Sequence, residues 1–412
     1  MNTDLNCRFC HHALTQTFVD LGSMPLANSY LRQERDSAAE KSYPLHARVC
    51  GNCFLVQVED VVPAEDIFSD YAYFSSFSSS WVEHARAFAD KLTQKLRLDG
   101  NSLVVEIASN DGYLLKHFLA KGIPVLGIEP AANVAKAAEA AGVKTEVAFF
   151  GFETATRLAK DGLQADLMAA NNVMAHVPDI NDFIAGVPIL LGESGVFTIE
   201  FPHLLNLIEK VQFDTIYHEH YSYLSLLTVE KILGAHGLAV FDVEELPTHG
   251  GSLRIYACHK ECMLYPPTGG LEAVREKEHV AGLASLDAYS DFTPRVEGVR
   301  AALLDFLNNA KKRGKKVAAY GAAAKGNTLL NYCKIGTELI DYVVDRNPEK
   351  QNTLLPGSHI PVFCPDKIRA EKPDYVLILP WNLASEIAAE MADVADWGGR
   401  FVIPIPKLKV LS

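Results

Sequence analysis

The spacing of hydrophobic positions changes several times along this chain. In LVVEIA (103–108), PVLGIEP (124–130), ADLMAANNV (165–173) and SGVFTIEFP (194–202), apolar residues run almost unbroken, as in strands covered on both faces. Between them, YLLKHFLAKG and AANVAKAAEAAG carry apolar residues at helical spacing. Strands alternating with helices predict a parallel sheet. HGGSLRIYAC (249–258) reads as a late strand of the same unit. The helix WVEHARAFADKLTQKL precedes it, and a loop rich in hydroxyls and aromatics, Ser69 to Trp81, leads into that helix. A long polar helical region covers 271–312. A second alternating unit starts at KKVAAYGAAAKGNTLLNYC (315–333) and continues through ELIDYVVD (338–345), IPVF (360–363), PDYVLILPWN (373–382) and GGRFVIPIP (398–406). The expected class is α/β, with two such units in tandem after an N-terminal module.

Composition narrows the function. A chain of 412 residues suggests two or three domains, and 49% hydrophobic against 22% charged residues is the balance of an ordered globular protein. A net charge of −13 argues against a general nucleic-acid binder, which needs a basic surface. No apolar run reaches the roughly 18 residues needed to span a bilayer. The opening MNTDLNCRFC has neither a basic segment nor an apolar leader core. The expectation is a soluble cytoplasmic protein with no membrane or nucleic-acid partner, and a monomer.

Four of the eight cysteines form two C-x2-C pairs, Cys7 with Cys10 and Cys50 with Cys53. Each pair places two thiolates on one tight turn, so two pairs suit a closed tetrahedral site for structural Zn2+. A cytosolic setting disfavours a disulfide framework, and two matched pairs disfavour a redox C-x-x-C. Cys258, Cys262, Cys333 and Cys364 are expected in the core.

Three further segments carry chemistry. Glu106, Ala108, Asn110 and Gly112 surround the turn after the first central strand, and Glu129 and Pro130 end the second. In doubly wound sheets ligands bind beyond the carboxyl ends of the strands, where Glu129 could accept hydrogen bonds from ribose hydroxyls. The dinucleotide glycine fingerprint is absent, and the two acids suit S-adenosylmethionine better than NAD. Asn171 and His176 follow the third strand and reach the same edge. Tyr217, His218, Glu219 and His220 crowd titratable groups into four residues. They are not a zinc-binding H-E-x-x-H, and acid–base work is the reading preferred over a structural role or an H-x-H metal pair. In the second unit, Lys325, Gly326 and Asn327 open a helix after a small-residue turn. That arrangement suits a diphosphate but is not a P-loop. Asp345 sits where a ribose-binding acid would, and Arg254 could pair with phosphate or with a buried acid.

The order CxxC…CxxC, DYAYFSSFSSSW, VEIASNDGYLL, GIEP, NNVMAHVPD, IYHEHYSYLS, HGGSLR, GAAAKGNTLLN resembles the sugar C-methyltransferases acting on nucleotide-linked 4-keto-deoxysugars, of the tetronitrose and mycarose type. The resemblance covers nearly the whole chain. It implies a zinc-binding module (1–66), a Rossmann-like S-adenosylmethionine domain (67–262) and a C-terminal α/β substrate-binding domain (263–412). It places the catalytic tyrosine, glutamate and histidine on Tyr217, Glu219 and His220 and a second active-site histidine on His176. Tyr71 or Tyr73 would add a tyrosine from the loop, Tyr71 being favoured. Tyr73, Ser75, Arg254, Lys325, Gly326 and Asn327 would meet the substrate. One departure is Ala108, where the family's turn carries glycine. The implied reaction is methylation of C3 through an enolate, with His220 as base and Glu219 holding its ring. Rival readings are C5 methylation, methylation of a carbon acid that is not a sugar, an NAD-dependent oxidoreductase, and a non-enzymatic zinc-ribbon module.

Overall fold

The computed structural model describes residues 5–32, 39–63 and 75–411. In the N-terminal module, β1 (Gln16–Met24), β2 (Tyr43–Val49) and β3 (Val56–Gln57) form an antiparallel sheet. Buried and outward residues alternate along β2, as expected of a strand with one face on a core. A two-residue strand from far along the chain, Ser222–Tyr223, completes this sheet on β3, in register Val56 to Tyr223.

The central sheet has parallel strands β4 (Val104–Ile107), β5 (Val125–Ile128), β6 (Thr145–Glu146), β7 (Ala165–Asn171) and β8 (Leu191–Pro202). With Ser222–Tyr223 counted as β9, an antiparallel hairpin of β10 (Leu238–Leu246) and β11 (Ser252–His259) extends it. The strand order is β10-β11-β8-β7-β4-β5-β6. It reverses between β4 and β7, so the ligand crevice lies at their carboxyl ends. Two expectations change here. The strand expected from residue 249 begins at Ser252, because His249-Gly250-Gly251 is a left-handed turn. Its partner β10 had not been foreseen.

The third sheet, β14-β13-β12-β15-β16-β17, is built from β12 (Val317–Tyr320), β13 (Val343–Val344), β14 (Val362–Phe363), β15 (Tyr375–Ile378), β16 (Arg400–Ile403) and an antiparallel β17 (Lys409–Val410). It repeats the central plan at smaller scale.

Helices fix how these parts meet. Helix Ser79–Leu96 starts where the Ser78 side chain accepts the Trp81 N–H, and it buries Ala85, Phe88, Ala89 and Leu92 at helical spacing. The polar region expected as one helix is three, Gly269–Val280, Asp287–Ser290 and Phe292–Lys312, interrupted near Gly282 at φ 75°. The last of these buries Val296, Leu303 and Leu307 in a core that also holds Phe18 of β1 and Val317 of β12. Phe292 stacks on Phe18 at 4.3 Å. The N-terminal module thereby packs on both α/β units. Cys258 and Cys333 lie in cores as expected, but Cys364 is exposed, at the end of a two-residue edge strand. No helix among the described residues is long and apolar enough to cross a membrane.

Candidate active site

The turn after β4 is built from strained backbone. Ala108, Asn110 and Gly112 are all left-handed, at φ 55°, 50° and 77°. A Cβ on Gly112 would stand 2.9 Å from Val143, so glycine is required there by space as well as by φ. Glu129 ties the turn down: one carboxylate oxygen accepts the Asn110 N–H and the other the Ala131 N–H, both at 2.9 Å. The residues just before the helix at Ser79 close over the turn. The Ser75 N–H reaches Asn110 Oδ1 at 2.9 Å and the Ser76 N–H reaches Asp111 Oδ2 at 3.1 Å. Tyr71 and Tyr73 lie outside the described residues.

Polar atoms accumulate unmet at this edge. Oδ1 of Asp111 and Oγ of Ser109 are buried without a hydrogen-bond partner, and Glu106 and Asn171 share the Tyr113 hydroxyl alone. Burial, and the nearby charges of Glu129 and Asp111, hold the Glu106 carboxyl well above the usual carboxylate range. Unpaired acids at a strand edge are costly unless a cationic ligand joins them. The donor set therefore fits a ligand carrying a sulfonium and an ammonium. Val147, Phe149 and Phe152 are exposed just past β6.

The Tyr217–His220 segment is a turn, closed by the His220 N–H on the Tyr217 carbonyl at 2.9 Å. Residues i and i+3 of such a turn share a side, so the Tyr217 hydroxyl meets His220 Nε2 at 2.8 Å and the rings lie 4.0 Å apart. His220 Nδ1 faces the Thr215 carbonyl at 2.9 Å. A carbonyl only accepts, so Nδ1 carries the proton and Nε2 the lone pair. Burial and the neighbouring His176 hold His220 well below the usual histidine range, so it is neutral. His176 packs edge-on to it at 4.6 Å and is bonded through Nδ1 to the Glu219 carbonyl at 2.8 Å. Burial lowers the His176 pKa to about 4.

Two parts of the expected arrangement change. The Glu219 carboxylate does not hold the His220 ring. It accepts both its bonds from Asn28 Nδ2, at 2.9 and 2.8 Å, because positions i+2 and i+3 of the turn point apart. The Thr215 carbonyl does the orienting. His218 turns into the N-terminal module, against the Tyr43 carbonyl.

The C-terminal unit faces this turn. Lys325 Nζ bonds Asn382 Oδ1 at 2.7 Å and lies 4.7 Å over the Trp381 ring, and its charge is felt at His220. Lys350, which no motif had marked, bonds the Ala322 carbonyl at 2.7 Å and lies over Tyr30. Asp345 accepts the Ala322 N–H at 2.7 Å, repeating the grip of Glu129 on Asn110. Gly326 and Asn327 do not open onto the cleft. Gly326 is packed on Leu379, and the buried Asn327 donates to the Ala27 carbonyl at 2.6 Å, joining two domains. Both were expected at the substrate; the first turn of the helix points them into an interface instead.

Arg254 is likewise corrected. It is 4% exposed, and Nε and Nη2 both bond Glu200 Oε2, at 3.2 and 2.9 Å, with Glu244 3.5 Å from Nη1. The three residues are cross-strand partners on β8, β11 and β10. Arg254 Nε and Nη2 are committed to the buried Glu200, and Nη1 stands nearest Glu244, so the guanidinium is held by acids of the sheet.

Cys7 and Cys53, and Cys10 and Cys50, lie with sulfurs 3.5 Å apart, and all four sulfurs fall within 4.8 Å of one another. With Zn–S bonds of 2.3 Å a tetrahedron has edges of about 3.8 Å, so the set fits one ion. The knuckle reaches the segments that flank this turn: Arg8 donates to the Pro178 carbonyl at 2.6 Å, two residues beyond His176, and lies 5.2 Å over the Tyr221 ring.

Comparison with known proteins agrees with this layout. Three family descriptions match, "Putative zinc binding domain" over residues 7–68, "Methyltransferase domain" over 81–243 and "C-methyltransferase C-terminal domain" over 247–406. The chain is 37% identical over 406 residues to C-methyltransferase NovU of Streptomyces niveus, covering 98% of this chain and 96% of that protein. Solved structures of similar fold include magnesium protoporphyrin IX methyltransferase of Synechocystis with bound SAM, at 16% identity and TM-score 0.36, covering 49% of this chain and 100% of that one. A S-adenosylmethionine-dependent methyltransferase of Clostridium acetobutylicum aligns at 13% identity and TM-score 0.36, covering 43% and 92%.

Proposed function

The chain belongs to the C-methyltransferase family of S-adenosylmethionine-dependent enzymes, and from that premise we propose that it methylates C3 of a nucleotide-linked 4-keto-6-deoxysugar for branched deoxysugar biosynthesis. The observation that carries the reading is the neutral His220, with its lone pair on Nε2 and the Tyr217 hydroxyl against it.

S-adenosylmethionine, when bound, supplies an electrophilic methyl on a sulfonium. Glu106, Ala108, Asn110 and Gly112 would hold it, with Glu129 and Pro130 at the ribose and Asn171 at the edge of β7. The 4-keto group acidifies the C3 hydrogen. His220 Nε2 takes that proton, and the Thr215 carbonyl steadies the imidazolium that forms. Tyr217, freed from Nε2 as the acceptor enters, donates to the oxygen that gains charge, with His176 beside it. The carbanion at C3 would then take the methyl that S-adenosylmethionine supplies, its negative charge cancelling that of the sulfonium as the neutral thioether leaves. Tyr71, Tyr73 and Ser75 remain proposed contacts from the loop over the cofactor turn. Lys325, at the start of its helix, faces the diphosphate. Glu219 and Asn28 would meet a polar group of the sugar. Cys7, Cys10, Cys50 and Cys53 would hold one structural Zn2+, measurable as one equivalent by atomic emission and lost in Cys7→Ser.

The test is incubation with methyl-labelled S-adenosylmethionine and a panel of nucleotide 4-keto-6-deoxysugars, followed by mass spectrometry and NMR. One added methyl at C3 is the expected result, abolished in His220→Asn while S-adenosylhomocysteine still binds. A methyl at C5, or turnover only with a carbon acid that is not a sugar, would overturn the assignment.

A further inference from the structure

Between β10 and β11 the chain turns through Thr248-His249-Gly250-Gly251, and every residue but one is pinned. The Gly251 N–H and the Ser252 hydroxyl both donate to the Thr248 carbonyl, at 2.9 Å each. The Thr248 hydroxyl donates to Glu200 at 3.3 Å. Lys210 and Gln212 both donate to the Gly250 carbonyl, at 2.9 and 3.0 Å. A Cβ on Gly250 would stand 2.6 Å from Trp381, and one on Gly251 would stand 2.7 Å from Asn206.

His249 is the exception. Its backbone is left-handed at φ 53°, a conformation a bulky residue holds only when its surroundings impose it. Its side chain is exposed, and its ring makes no hydrogen bond to a described residue. The ring meets Trp81 edge-on at 5.6 Å, and Trp81 in turn stacks at 6.1 Å on Tyr113, beside Glu106 at the cofactor edge. Lys325 of the C-terminal unit and His176 are close enough for their charges to act on it. A strained imidazole with both nitrogens uncommitted therefore opens between the methyl donor's edge and the lysine that faces the diphosphate.

We propose that His249 is a third active-site histidine, which donates a hydrogen bond to the acceptor's keto oxygen and shares with Tyr217 the charge that appears there when C3 loses its proton. The inference rests on the reading of the chain as a keto-sugar C-methyltransferase. In its neutral form the imidazole offers one N–H and no charge. A neutral donor of this kind strengthens as the oxygen becomes negative and does not trap the ground state.

His249→Gly and His249→Asn test it, because both residues tolerate φ above zero and neither should disturb the loop. The glycine variant is expected to bind S-adenosylhomocysteine like the parent and to melt no lower. Its kcat should fall about 10²–10³-fold with KM little changed, the usual loss for one oxyanion donor. Added imidazole should restore part of that rate, since the ring's place opens to the cleft; the asparagine variant should keep part of it unaided. Full activity in the glycine variant would overturn the inference, as would a rise in KM with kcat intact or a loss of cofactor binding. A parent enzyme that binds the cofactor yet methylates no keto-sugar in the panel would instead overturn the functional reading, and this role for His249 with it.

Discussion

Replacing Arg254 with methionine separates a structural arginine from a phosphate-binding one. In the parent, Glu200 is fully buried and its carboxylate is served by two N–H groups of Arg254, by His84 at 3.0 Å and by the Thr248 hydroxyl. His84 and the charge of Arg254 outweigh burial and keep the Glu200 pKa below the usual carboxylate value. Arg254→Met leaves that charge buried with much of its compensation gone, which costs about 3–5 kcal/mol. At roughly 2–4 °C per kcal/mol for a domain of this size, the melting temperature should drop by about 6–20 °C. The sign with pH follows from Glu200. Without Arg254 its folded pKa rises above the unfolded value, so the variant takes up a proton on folding. Its deficit is therefore largest near pH 7 to 8 and shrinks as pH falls through that raised pKa. Arg254→Met with Glu200→Gln removes both charges and should recover part of the loss. Thermal melts of the three proteins between pH 5 and 8 make the measurement. Parent-like stability in Arg254→Met, with KM for the nucleotide sugar raised tenfold or more, would refute the buried-pair reasoning and return Arg254 to the substrate.

Other substitutions probe the remaining sites. Ala108→Gly relieves a left-handed alanine and should raise stability by about 1 kcal/mol, less the entropy glycine adds to the unfolded chain, with S-adenosylhomocysteine bound at least as tightly; calorimetry and titration check both. Gly250→Ala drives a methyl into Trp381 at a position with φ 90° and should cost several-fold in kcat and a few degrees in melting temperature. His176, with a folded pKa of about 4 against an unfolded value near 6.5, stays neutral where the unfolded chain takes up a proton. Stability should therefore fall as pH drops from about 6.5 to 4, and His176→Asn should flatten that slope in pH-dependent melts.

The chain alone determined what depends on local pattern. Unbroken apolar runs between helical segments placed the parallel core strands of both α/β units, because a strand covered on both faces has no polar alternation to keep, but β10 carried no such run. Paired cysteines on two turns predicted four sulfurs at one point, since C-x2-C geometry is local. The crowding of Tyr217, Glu219 and His220 marked the proposed reacting segment for the same reason. Tertiary structure decided which side chains of each cluster face the site. Neighbours in a turn diverge, so Glu219 left His220 for Asn28 and His218 went to the N-terminal module. Asn327 and Arg254 are polar residues in suggestive surroundings, and only the packing of another domain or strand against them shows Asn327 Nδ2 given to the Ala27 carbonyl and Arg254 to Glu200. His249 stands apart from these: a left-handed φ and an uncommitted ring arise from how Trp381, Lys210 and Gln212 pin the loop around it, and these are contacts from other segments that no local spacing encodes.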